Sequence, residues 1–156
     1  MITCNRKRLP RHLAASLLLA LVALTLPVAA GQALQEADPA AVGAIKAWLK
    51  SIDEGHYQQS WDSASSQFQK AITSRDWVAA LESARKPAGA CTKRTLGSVL
   101  PQNGLPDPNG KMLKGEFVIA QFQSSFTNLA AALETVTFEK ENGTWKASGY
   151  FIKPGG

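Results

Sequence analysis

Glu134 falls in the alternating run Leu133-Glu134-Thr135-Val136-Thr137-Phe138, which sets a carboxylate on the same side as two apolar side chains. Burying an ionised carboxylate alone costs several kcal/mol, so an inward Glu134 needs a cation, hydrogen bonds or water. Arg94 shares its alternating face with Leu96 and Leu100, and Arg85 follows the apolar stripe of a helical segment. Either guanidinium could meet Glu134 in a bidentate bond. The chemistry this allows is an internal ion pair, or the polar floor of a pocket for a small anionic or zwitterionic ligand. Trp61 and Trp77 lie on apolar stripes at core spacing, and could also line such a pocket. Trp61, Trp77, Arg85, Arg94 and Glu134 are therefore the candidate ligand-binding residues. Glu134 alone has the surroundings to be considered as a catalytic acid or base.

Other chemistries lack their parts. After the first thirty residues the chain has one histidine, His56, and one cysteine, Cys91, too few for a histidine or thiolate zinc site. His56 falls in Asp53-Glu54-Gly55-His56-Tyr57 between two helical segments and reads as an exposed turn residue. No nucleophile elbow precedes a serine, and Gly104, Gly110 and Gly115 precede no helix that could hold a phosphate. No cofactor is expected. The pairs Asp53/Glu54 and Glu139/Glu141 read as solvated surface.

Three amphipathic helices and then a set of strands must position these residues. Asp38-Pro39 starts a helix whose stripe is Ala41, Ile45, Trp48, Leu49 and Ile52, closed by Gly55. A second helix carries Tyr57, Trp61, Ala64, Phe68 and Ile72. A third, capped by Thr73 or Ser74, turns Trp77, Ala80, Leu81 and Ala84 inward and stops at Lys86-Pro87 and Gly89. The period then switches to two, with strands expected over 94–100, 116–126, 133–141 and 144–153. The Pro-, Gly- and Asn-rich stretch 101–115 reads as a loop or long hairpin connection. Asn142-Gly143 predicts a two-residue hairpin turn, pairing Glu141 with Thr144, Phe138 with Ala147 and Glu134 with Phe151. That register turns Val136, Phe138, Trp145, Ala147 and Phe151 inward, and Thr135, Thr137, Glu139, Lys146 and Ser148 outward. Helices first and antiparallel strands after predict an α+β domain, with the helices on one face of a twisted sheet.

The N-terminus predicts export. Arg6, Lys7, Arg8 and Arg11 precede an apolar run over 13–26, and Pro27 with Val28-Ala29-Ala30 supplies the exit. The run is short for a bilayer core of about 30 Å. A signal peptide over 1–30, a lead-in over 31–37 and a single domain over 38–156 follow. Those four basic residues leave with the signal, so 13 basic and 12 acidic side chains remain, a net of +1. The sequence pI near 9.4 thus belongs to the leader and gives no argument for nucleic acid. Cys4 leaves as well, so Cys91 has no intramolecular partner.

The order Ala47-Trp48-Leu49, Asp53, Gly55, Tyr57, Ser60-Trp61, Phe68, Trp77, Arg85, Pro87, Gly89, Arg94, Glu134-Thr135-Val136, Trp145 and Gly149-Tyr150-Phe151-Ile152 resembles the bacterial exported family catalogued as domain of unknown function 4019. The resemblance spans about 40–153 and implies compartment and fold, with no activity attached. The residues after Leu105-Pro106-Asp107 up to Gly115 depart from that pattern. More weakly, the helical opening and curved sheet resemble the cone-shaped folds of the nuclear-transport-factor and cystatin type. Three functions are open: a non-catalytic accessory domain binding a small ligand or an envelope protein, an assembly protein using its sheet edge, or an enzyme using Glu134. The cell envelope, periplasmic or secreted, is the expected place, with no membrane span after cleavage.

Overall fold

The computed structural model describes residues 37–107 and 109–155. The expected signal peptide, 1–30, and the lead-in up to residue 36 lie outside the described residues. Four helices precede four strands: α1 Pro39–Asp53, α2 Tyr57–Asp62, α3 Ser66–Ala71, α4 Ser74–Ala88, β1 Cys91–Pro106, β2 Met112–Phe126, β3 Leu129–Glu141 and β4 Thr144–Pro154. The strands form one antiparallel sheet in the order β1-β2-β3-β4. This is an α+β chain.

Helix α1 starts as expected, with Asp38 accepting from the Ala40 amide at 2.9 Å and Pro39 in the first turn. Its stripe of Ala41, Ile45, Trp48, Leu49 and Ile52 is buried. The single helix expected next is two, interrupted at Ser63–Ser65. Ser65 sends its amide to the Ala147 carbonyl of β4 at 2.8 Å, and its hydroxyl caps α3 at the Phe68 amide at 3.2 Å. A continuous helix would have to give up both contacts. In α4, Thr73 caps the Asp76 amide at 3.2 Å. The inward face is Trp77, Leu81, Arg85 and Ala88, while Ala80 and Ala84 are exposed. Pro87 lies in the last turn and does not end the helix before Ala88. Gly89, at φ 81°, provides the exit.

The stretch 101–115 is mostly strand. β1 and β2 run on as a hairpin extension through Gly104↔Lys114, Leu105↔Leu113 and Pro106↔Met112. A Cβ at Gly104 would lie 2.8 Å from the Leu113 carbonyl oxygen, so the close approach requires glycine. The turn is tied by Asp107, whose carboxylate accepts from the amides of Asn109 and Lys111 at 2.9 Å each.

The Asn142-Gly143 turn forms with both residues at positive φ, 51° and 79°. Glu141↔Thr144 and Phe138↔Ala147 pair as expected, but a bulge at Ser148 then shifts the register to Thr137↔Gly149, Val136↔Tyr150 and Glu134↔Ile152. Tyr150 therefore turns inward, 8% exposed, and Phe151 turns out, 73% exposed, reversing the expectation for Phe151. One core cluster joins Ile45, Trp48, Leu49, Phe68, Trp77 and Leu81 from the helices with Val118, Phe122, Val136, Phe138 and Tyr150 from the strands.

Candidate functional site

Glu134 is fully buried and sits at the centre of a charged cluster built from six elements, its own β3 among them. α4 brings Arg85, its only inward charge, three turns into the helix. β1 brings Arg94, β2 brings Ser124, β4 brings Tyr150, and the last residue of α1 is Asp53. One Glu134 oxygen accepts from Arg85 at 3.0 Å, Arg94 Nη2 at 3.1 Å and the Tyr150 hydroxyl at 2.7 Å. The other accepts from Arg94 Nε at 2.7 Å and from the Ser124 hydroxyl. A carboxylate has about four lone-pair sites, so Glu134 has no acceptor capacity left. Arg85 also reaches the Tyr150 oxygen at 3.1 Å, pairs with Asp53, and stacks 4.5 Å from the centre of the Phe126 ring. Arg94 holds Asp53 at 2.5 and 3.0 Å. The side chain of Asp53 is 24% exposed and closes the cluster toward solvent.

Two carboxylates and two guanidiniums balance in charge. Burial works against ionised Glu134, but hydrogen bonds from Arg94, Ser124 and Tyr150 and the Arg94 charge outweigh it, so its pKa falls below the ordinary carboxylate value. Burial, with the Glu134 charge beside it, pushes the Tyr150 hydroxyl up. Burial disfavours the Arg94 charge as well, yet bonds to Asp53 and Glu134 raise its pKa overall. At neutral pH the carboxylate is ionised and its acceptor sites are filled, and taking up a proton there would cost it hydrogen bonds.

The fold brings both Arg85 and Arg94 to Glu134, where the face analysis offers either one as its partner. Trp77 lies nearby, its ring 6.3 Å from Tyr150, stacked at 6.0 Å on Trp48 and edge-on to Phe68 at 4.9 Å. Its indole N–H donates to the Ser60 hydroxyl at 2.9 Å, and Trp48 donates to the Ser60 carbonyl at 2.8 Å. Trp61 is half-buried and donates to the Ile72 carbonyl at 2.9 Å, bracing α2 against the end of α3. Sequence reasoning missed Asp53, Ser124 and Tyr150. Ser124 was legible, because Ala120, Phe122, Ser124 and Phe126 alternate on the buried face. Tyr150 was hidden by the bulge. Asp53 reads as surface until the arginines are placed around it.

Two further expectations are corrected. Glu139 does project from the outward face, yet it is only 7% exposed. Phe117 lies directly across from it on β2, and the hairpin extension and α3 line the groove that Glu139 borders. Glu141 is held by Lys146 at 2.7 Å and by Ser66, and these bonds lower its pKa to about 2. His56 is exposed in the turn before α2, as expected. Among the described residues no cluster of histidine, cysteine and carboxylate side chains has a metal-binding arrangement, and no helix is long and apolar enough to cross a membrane.

Two concavities flank these features. Arg94 and Asp53 line one of about 270 Å³ with Lys46, Lys50 and Leu96. The other, an open groove of about 790 Å³, lies on the outward face between α3 and the hairpin extension, with Glu139, Phe117 and Phe151 among its lining. The family described as Protein of unknown function (DUF4019) matches residues 44–150, from the middle of α1 to Tyr150. The chain belongs to the DUF4019 family. The match takes in all six members of the Glu134 cluster and the helix–strand frame around them. No curated protein matches the DUF4019 chain.

Proposed function

We propose that this DUF4019 chain is an exported, non-catalytic accessory domain of the cell envelope that binds its target on the outward face of the sheet. The observation that carries this reading is where the space lies. The interior is packed by stacked aromatics, and no buried side-chain polar atom among the described residues lacks a hydrogen-bond partner. The groove of about 790 Å³ opens outside, with Phe151 exposed among its lining. Small-ligand sites are commonly of this size and mostly apolar, with few polar groups. Export is supported by the basic start, the apolar run and Val28-Ala29-Ala30.

A second reading keeps the ligand near Glu134. There Arg94, Lys46 and Lys50 around the smaller concavity would attract an anionic group at the open edge of the cluster. Arg85 and Glu134 would then support that edge from within, with Trp77 packed behind Tyr150, while Trp61 lies apart at the α2–α3 junction. Native mass spectrometry of protein purified from its own cells distinguishes the readings. A bound molecule or partner chain lost in Phe151→Glu but kept in Lys46→Glu supports the outward groove. Loss in Lys46→Glu alone moves the site to Arg94.

A further inference from the structure

β3 carries two buried carboxylates on opposite faces, and they differ in one respect. Glu134 has five hydrogen-bond donors, whereas Glu139, 7% exposed, has no hydrogen bond or ion pair among the described residues. Its cross-strand neighbours do not supply one: Phe117 is apolar, and Lys146 is engaged by Glu141 at 2.7 Å. Among the described residues no fully buried side-chain oxygen lacks a partner, so the oxygens of Glu139 reach water, and the residue lines the outward groove. The other carboxylate there, Asp107, accepts the amides of its own turn through Oδ1 and adds a second negative charge to the lining. Lys70 also lines the groove, but it is exposed and makes no ion pair with Glu139.

We propose that the groove binds a small organic cation, an ammonium or guanidinium on an apolar body, with Glu139 as its counter-ion. The inference rests on the outward-face reading and specifies the ligand's chemistry. A carboxylate hydrated only in part and flanked by apolar walls attracts a cation more strongly than one in bulk water, because the local dielectric is low. Phe117 and Phe151 add aromatic side chains to the lining, and aromatic rings favour a neighbouring positive charge. The groove's volume suits a molecule of drug-like size. An anion would meet Glu139 directly and is disfavoured.

The test is an amide-resolved NMR titration of protein expressed from the full chain, with benzylammonium and benzamidinium as cations, benzamide as the neutral analogue and benzoate as the anion. The cations should shift amides around Phe117, Glu139 and Phe151 saturably, with benzamide binding about tenfold more weakly or worse. Glu139→Gln should remove that preference, and the exposed Phe151→Ala should weaken the cations without unfolding the protein. Equal binding of benzamide and the cations, or a cation preference kept in Glu139→Gln, overturns the inference and leaves the outward-face reading standing. Shifts at Arg94 and Lys46 in place of the groove overturn both. Response only to lysine-containing peptides, and to none of the four small probes, overturns the assignment to a small ligand.

Discussion

Glu134 and Glu139 show how little the residue type says about the role. Both are glutamates on one strand, five positions apart, and both are nearly removed from water. One has every lone pair filled, so removing its charge leaves Arg85 and Arg94 imperfectly paired in a buried site. Glu134→Gln should destabilise the fold by about 3 kcal/mol, the lower end of what breaking a buried ion pair costs. Glu139→Gln should stay within about 0.5 kcal/mol of the parent, because no partner is left behind. Chemical denaturation of the two variants reads both values. Acid should act through the same residue. Glu134 has its pKa lowered on folding, so it adds stability above the ordinary carboxylate pKa, and that contribution is lost as pH falls through the folded value. Unfolding midpoints measured from pH 7 down to pH 2 should therefore fall steeply in the parent protein and less steeply in Glu134→Gln. Ser60 is a quieter determinant. Its hydroxyl is the acceptor for the Trp77 indole, and Ser60→Ala should cost about 1–2 kcal/mol by orphaning that N–H.

At the level of elements, the bulge in β4 and the β1–β2 extension decide what faces where. Without the extra residue at Ser148, Phe151 would enter the core and Tyr150 would leave Glu134. The extension is built from residues whose composition reads as loop, yet Gly104 and the Asp107 turn make it a paired hairpin arm bordering the outward groove. It lies outside the main core cluster, so it should be separable from folding. Replacing residues 103–114 with a short Asn-Gly turn should leave the thermal midpoint within a few degrees, as the effect of about 1 kcal/mol allows. The same change should abolish probe binding in the groove. A collapse of the fold on this replacement would show that the arm is part of the core.

For the whole molecule, the balance of charge and thiols makes two predictions. Cys91 is free and half-buried, and burial pushes its thiol pKa up. Reductant should leave the melting temperature unchanged, and a clear drop would reveal an interchain disulfide. Mass spectrometry of the expressed protein should find a new N-terminus near Gly31 or Leu34, while recovery of intact Met1 in membranes would establish an anchor.

What the sequence determined by itself is what local periodicity controls. The stripe of α1, the Asn142-Gly143 turn, the α+β order and the inward side of Glu134 all follow from side-chain spacing, because burial selects one face of each element, while spacing left open which arginine would meet Glu134. Only the tertiary structure decided the break at Ser63–Ser65, the reversal of Tyr150 and Phe151, the recruitment of Asp53 and the covering of Glu139. Each of these depends on a residue far away in the chain: Ala147 for Ser65, an arginine 32 or 41 residues on for Asp53, Phe117 across the sheet for Glu139. A period counted along the chain has no access to a partner that arrives by folding.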